Sequence, residues 1–138
     1  MHERVGLTDF LDTYLYPFEG INNIYDEDKG FIVWRTGTGG NTELLHVRTF
    51  EGGKGYGRWL FYQMLDRLKE NPPYYSVFGF TRVGNTEAQA FYGALGFKLQ
   101  RVMGLYNDGE AVLFWQSFDV LWSAKESYES SHPVRGQT

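Results

Sequence analysis

The sequence predicts a mixed α/β fold: a mostly antiparallel sheet with one parallel β-α-β crossover. Three observations carry that expectation. Amphipathic and β-like runs follow one another as helix, three strands, helix, strand, helix, two strands. The strand–helix–strand run through residues 42–82 is a crossover, the connection that parallel neighbours need. Asn107-Asp108-Gly109 stands between two apolar runs as a tight hairpin signal. With 138 residues the chain is the size of one domain. Its expected span is residues 1–122, with a flexible tail over 123–138.

Each element has its local reason. Leu7, Phe10, Leu11, Tyr14 and Leu15 recur at helical spacing until Pro17, which predicts a short helix with Thr8 near its start. Ile21–Tyr25 and Phe31–Arg35 flank the polar Asp26–Gly30 and read as a hairpin. The acidic residues of that turn lack calcium-ligand spacing and no glutamate closes them, so a solvated turn is expected and no metal. Thr36–Asn41 is a second turn and Thr42–Phe50 a third strand.

The glycine-rich Glu51–Gly57 opens a helix with Trp59, Leu60, Met64, Leu65 and Leu68 on one face, ended by Asn71-Pro72-Pro73. Tyr74–Arg82 is an almost unbroken aromatic and β-branched run, which predicts a strand buried on both faces. Thr86 and Gln89 are spaced as a capping box for a helix over Thr86–Leu95, and Gly96 stands where a terminating glycine belongs. Phe97–Tyr106 and Glu110–Phe118 complete the sheet. Ser123–Thr138 is polar and unpatterned.

Composition excludes several classes. Hydrophobic residues make up 42% and charged residues 22%, which is neither a disordered nor a fibrous chain. With no cysteine there is no disulfide, thiolate metal site or cysteine nucleophile. The start Met-His-Glu-Arg-Val-Gly has no apolar core of a signal peptide, and no run spans a membrane. A net charge of −4 argues against a nucleic-acid partner. A cytoplasmic location is expected.

The glycine loop is the first chemical signal. Amides at a helix start are unpaired and lie in a favourable dipole, so they suit phosphate. Gly53, Gly55 and Gly57 let a ligand approach closely, while Lys54 and Arg58 add charge. A tight strand–helix turn explains the same glycines without a ligand. A Walker loop is ruled out because Gly55, not Ser or Thr, follows Lys54. A dinucleotide fingerprint fits poorly, since Thr81-Arg82-Val83 carries no acid.

Two stretches together resemble the GCN5-related N-acetyltransferase (GNAT) family over about residues 31–118. Gly52-Gly53-Lys54-Gly55-Tyr56-Gly57 is similar to its acyl-CoA loop, Gln/Arg-x-x-Gly-x-Gly/Ala, with Gly52 in place of the Gln/Arg. Asn85-Thr86-Glu87-Ala88-Gln89-Ala90-Phe91-Tyr92-Gly93-Ala94-Leu95-Gly96-Phe97 resembles its later Asn-x-x-Ala-x-x-hydrophobic-Tyr-x-x-Leu-Gly-Phe motif. The resemblance implies the acyl-CoA N-acyltransferase fold with a shortened N-terminal part, and transfer of acetyl from acetyl-CoA to a primary amine.

It implies site residues as well. Backbone groups near Val47 and Thr49 pair with pantetheine, the amides of Gly53–Arg58 (Tyr56 among them) hold the pyrophosphate, and Asn85 contacts the pantetheine arm, caps its helix, or does both. The Val47 N–H stabilises the oxyanion, and Tyr92 is either the acid for the leaving thiolate or a packed ring. Glu43 and His46 are the titratable groups on the strand entering the loop. Simple alternation puts them on opposite faces, Glu43 with Leu45 and Val47, unless a bulge intervenes. Either is a candidate base, as is a water chain; Glu43 also suits a surface charge and His46 a core imidazole.

About 20 residues precede the first strand, so the acceptor side is expected to be open to a protein or peptide amine, or completed by a second subunit in a homodimer. Trp34, Tyr62, Trp115 and Trp122 are candidate contacts there. The rivals are a CoA-binding or protein-interaction module without catalysis, and a nucleotide-binding module.

Overall fold

The computed structural model describes residues 21–103 and 110–132. The helix expected over 7–15, the Asn107-Asp108-Gly109 turn and the chain beyond 132 lie outside them. The chain divides into two compact units, Met1–Pro73 and Tyr74–Thr138.

In the first unit, β1 (Ile21–Asp26), β2 (Gly30–Thr36) and β3 (Asn41–Thr49) form an antiparallel ladder. The first hairpin is closed by Asp26, whose Oδ1 accepts the N–H groups of Asp28 (2.9 Å) and Lys29 (3.0 Å). These bonds, with Lys29 nearby, hold the Asp26 carboxyl below its usual range. Gly30 is required where β2 begins. Its φ is +138°, and a Cβ there would lie 1.9 Å from the Arg48 carbonyl oxygen.

The β2–β3 register shifts between Val33 and Trp34. Val33 pairs with His46 and Trp34 with Leu44, so Leu45 is an extra residue in β3. Opposed residues share a face of the sheet. Glu43 opposite Arg35, His46 opposite Val33 and Arg48 opposite Phe31 therefore lie on one face. This overturns the opposite-face expectation for Glu43 and His46, because the bulge resets the alternation between them. Phe31 and Val33 are fully buried on that face, packed with Ile21, Leu45 and Phe50.

Helix α1 (Tyr56–Glu70) buries Leu60, Phe61, Met64, Leu65 and Leu68, each worth roughly 1.5–3 kcal/mol when removed from water. Asn71 ends it, its N–H bonding to Leu68 O and its Nδ2 to Arg67 O, and Arg67 donates to the Asn23 carbonyl (3.1 Å). Trp59 was expected on the core face but is 37% exposed, under the Lys29 ammonium 4.7 Å from its ring centre. Phe61 and Tyr62 take the core instead.

In the second unit, β4 (Ser76–Arg82) and β5 (Lys98–Met103) both pair antiparallel with β6 (Glu110–Ser117). β4 is not sealed on both faces as expected. Val77, Gly79 and Thr81 are buried while Phe78 and Phe80 between them are half-buried. Helix α2 (Thr86–Leu95) is capped by Asn85, one of the two caps the sequence offers, its Oδ1 accepting from Ala88 N at 3.0 Å, and not by Thr86. Gln89 Nε2 reaches back to the Val83 carbonyl (2.8 Å) instead of closing a capping box. Left-handed Gly96 ends α2, as the sequence predicts.

The tail expected from Ser123 is a helix as far as Ser131. Helix α3 (Phe118–Ser131) starts at a Ser117 cap and buries Phe118, Leu121 and Lys125. The pattern escapes notice because Phe118 reads as the end of a strand and a lysine fills a core position. Lys125 buries its stem and brings its ammonium to Glu129 (2.7 Å) and over the Trp122 ring (4.6 Å). Trp34 and Tyr62, candidates for exposed contacts, are buried at 3% and 6% exposure. No helix among the described residues is long and apolar enough to cross a membrane.

Gly30→Ala should cost more than ~2 kcal/mol of stability, since backbone atoms must move. Gly39→Ala, also at positive φ but with nothing within 4 Å, should cost only ~1–2 kcal/mol. Urea unfolding of both variants measures the difference, and equal losses would refute the close-approach account.

Candidate active site

The glycine loop hands the chain from β3 to α1. Gly53 and Gly55 both have φ +74°, and a Cβ at either would find nothing within 4 Å, so both the backbone shape and the open space suit glycine. Gly55 is the N-cap and offers no side-chain acceptor, and no acid stands in the first turn. The first intrahelical bond runs from Trp59 N to Gly55 O (3.1 Å). Ahead of it the amides of Tyr56 and Gly57 have no carbonyl one turn back. They form a donor cluster at the positive end of the dipole, a cradle that fits an anion such as a pyrophosphate.

The charges expected at the loop are otherwise occupied. Lys54 faces Glu51 at 3.9 Å, both well exposed. Arg58 turns along the helix to donate to the Tyr62 hydroxyl (2.9 Å). Gly52 has open space around it and no side chain to offer. The donor capacity of this loop is thus mainly backbone.

On β3, Val47 opposes Ile32 and Thr49 opposes Gly30. Glu43 is gripped by Arg35, guanidinium to carboxylate, across the ladder. His46 packs beside Phe31, ring centroids 5.7 Å apart. Burial first, then the nearby Arg48 charge, lowers its pKa from 6.5 to about 4, so the imidazole is neutral at pH 7. Sequence reasoning missed Arg35, because eight residues and a hairpin separate it from Glu43.

In the second unit Tyr92 lies in a ring cluster. It stacks on Phe114 (3.7 Å between centroids, 13° between planes) and meets Phe97 edge-on at 5.7 Å. Burial pushes its phenol well above the usual value, so it stays protonated at any working pH. Among the described residues its hydroxyl makes no hydrogen bond, and no fully buried side-chain oxygen lacks a partner. The hydroxyl therefore keeps contact with solvent, on a residue 8% exposed. Asn85 is exposed in an open groove of about 660 Å³ lined by Arg82, Val83, Gly84 and Glu110. Its Oδ1 serves the helix cap, and its Nδ2 makes no hydrogen bond among the described residues. Among the described residues no group of three His, Asp or Glu side chains is placed to hold a metal.

The model of the Acetyltransferase (GNAT) family matches residues 15–97. The chain belongs to the GNAT family. Three solved structures illustrate the likeness of this GNAT chain. Ard1 from Thermoplasma volcanium is 27% identical, with a TM-score of 0.57 over 64% of this chain; the chain spans 62% of Ard1. The ribosomal-protein-S18-alanine N-acetyltransferase of Escherichia coli is 17% identical, with a TM-score of 0.62 over 84% of this chain and 92% of its own. A GNAT acetyltransferase from Elizabethkingia anophelis, solved with acetyl-CoA bound, is 16% identical at 0.64, over 79% and 82%. The last two show the fold, the mixed α/β fold of acyl-CoA N-acyltransferases. No curated protein matches.

The His46 environment has a consequence for stability. Between pH 6.5 and about 4 the unfolded chain binds a proton that the folded chain excludes. This contribution is complete above pH 6.5 and is lost as pH falls to about 4. Denaturant unfolding at pH 7 and pH 5 should show the drop, and His46→Leu should remove it. An identical pH dependence in the variant would contradict the assignment.

Proposed function

We propose that the chain transfers an acetyl group from acetyl-CoA to a primary amine by direct attack of the amine on the thioester. The observation that carries this reading is the start of α1: uncapped amides behind left-handed Gly55, with no acid in the first turn, in a member of an acetyltransferase family. Acetyl-CoA, when bound, supplies an acetyl group activated on sulfur.

In this reading the amides of Gly53–Arg58 bind the pyrophosphate, with Gly52 and Lys54 flanking it. Backbone groups of Val47 and Thr49 pair with pantetheine, and the Asn85 amide contacts the same arm. The Val47 N–H receives the negative charge that grows on the carbonyl oxygen. As the nitrogen–carbon bond forms and the carbon–sulfur bond breaks, the Tyr92 phenol gives its proton to sulfur. Its protonated state and solvent-touching hydroxyl support that role. The ammonium proton leaves to His46, which is neutral, to Glu43, which must loosen its Arg35 ion pair, or to water.

The Escherichia coli relative is named for an alanine of a ribosomal protein, so peptide amines are the first acceptors to offer, in the cytoplasm. Gly52 in place of Gln/Arg favours a second reading, a CoA-binding module with weak or no catalysis.

Calorimetric titration should give acetyl-CoA a Kd of ~1–100 μM, with ATP and NAD bound far more weakly. Gly55→Val should weaken acetyl-CoA by at least ~100-fold, whereas Gly39→Val, equally strained, should not. Equal affinity in all three proteins would remove the loop assignment. Tyr92→Phe should lower kcat at least ~10-fold with acetyl-CoA affinity unchanged; full turnover in the variant would leave Tyr92 as a packing ring only.

A further inference from the structure

The face of β3 that carries Glu43 and His46 also carries Arg48, and the charges on that face do not cancel. Arg35 and Glu43 neutralise one another, and His46 is uncharged. Arg48 is half-buried at the end of β3, opposite the fully buried Phe31. Among the described residues it makes no hydrogen bond and no ion pair. It stands two residues from His46 on the same face, near enough for its charge to act on the imidazole. A partly desolvated guanidinium without a partner is costly, and it is unexpected in a chain whose net charge is −4.

A guanidinium offers five donors in a planar fork that matches a carboxylate. Arg48 follows Val47, the residue proposed to face the reacting carbonyl, and shares its face with both candidate proton acceptors. An amine brought to that point carries its neighbouring groups past Arg48. We propose that Arg48 binds a carboxylate of the acceptor, so that the preferred substrates are amines with an acidic group beside the reacting nitrogen, such as a peptide with an acidic second residue. This inference rests on the acetyltransferase reading, which supplies the acceptor.

The test uses CoA joined through an acetyl bridge to the α-amine of Ala-Glu-Gly or of Ala-Gln-Gly, titrated calorimetrically. The wild-type chain should bind the glutamate conjugate about 10-fold more tightly than the glutamine one. Arg48→Gln should erase that preference while CoA alone binds as before, and Arg48→Lys should keep part of it. Thermal melting of each variant confirms folding.

Equal binding of the two conjugates by the wild-type chain overturns the proposal. So does a preference that survives in Arg48→Gln, or a loss that falls on CoA alone, which would place Arg48 on a CoA phosphate. Failure of CoA itself to bind the wild-type chain sinks the acetyltransferase reading instead. The free peptides are then compared by NMR titration, where equal affinities for Ala-Glu-Gly and Ala-Gln-Gly also overturn the Arg48 assignment.

Discussion

Leu45 has no partner of its own on β2, and that unpaired residue decides which face every later side chain of β3 takes. Without it, Glu43 would share a face with Leu45 and Val47, and His46 and Arg48 would point the other way. With it, Glu43, His46 and Arg48 line up opposite Arg35, Val33 and Phe31. A carboxylate, an imidazole and two guanidiniums then stand on one sheet face over a small apolar cluster. The bulge costs one unpaired residue in the ladder and returns a polar cluster that strict alternation does not allow.

The other end of β3 is constrained just as tightly. Gly30 lets the Arg48 carbonyl approach to a distance that any Cβ would block, and Phe50 N bonds to Lys29 O at 3.0 Å. β3 is thereby clamped to the first hairpin up to the residue before the glycine loop. The loop itself is open: Gly53 and Gly55 take left-handed angles with no neighbour that a side chain would strike. A strand held to its hairpin thus runs into a turn whose left-handed glycines lead directly into the first amides of α1. Close packing accounts for the glycine at 30, whereas the glycines at 53 and 55 are shaped by backbone angle and open space.

What the sequence reveals and conceals follows the range of the interaction. The helix over Thr86–Leu95, its Gly96 stop and the loop glycines depend on residues within one or two turns, and they are legible directly. Asn85 is one of two caps the sequence offers, because Asn85 and Thr86 both suit the position and only the backbone angles choose between them. α3 is hidden by Lys125, a charged residue whose stem does the packing. The Arg35–Glu43 ion pair and the shared face of Glu43 and His46 are set by pairing across a hairpin, and a one-residue bulge reverses parity without leaving a mark in composition. The site residues follow the same division: the anion cradle reads from its glycines, while the electrostatics around the candidate bases do not.

In the proposed reading these electrostatics bear on how the amine would lose its proton. Glu43 is ion-paired with Arg35, and taking up a proton would discard that pair. His46 is free of charge, but burial and Arg48 oppose its protonation. Both side chains therefore suit a brief proton relay better than a lasting store. Such a face places the demand on the acceptor. An amine that is already partly neutral near pH 7 needs little help, and α-amines (pKa about 7.7–8.0) meet that condition far better than lysine side chains (about 10.4). An acidic group bound at Arg48 would act in the same direction as a loosely held proton: its charge offsets that of Arg48 and eases the transient protonation of His46. In the proposed reading the surplus guanidinium and the candidate bases are one device, in which a carboxylate of the substrate would complete the electrostatics of the face that takes up its amine.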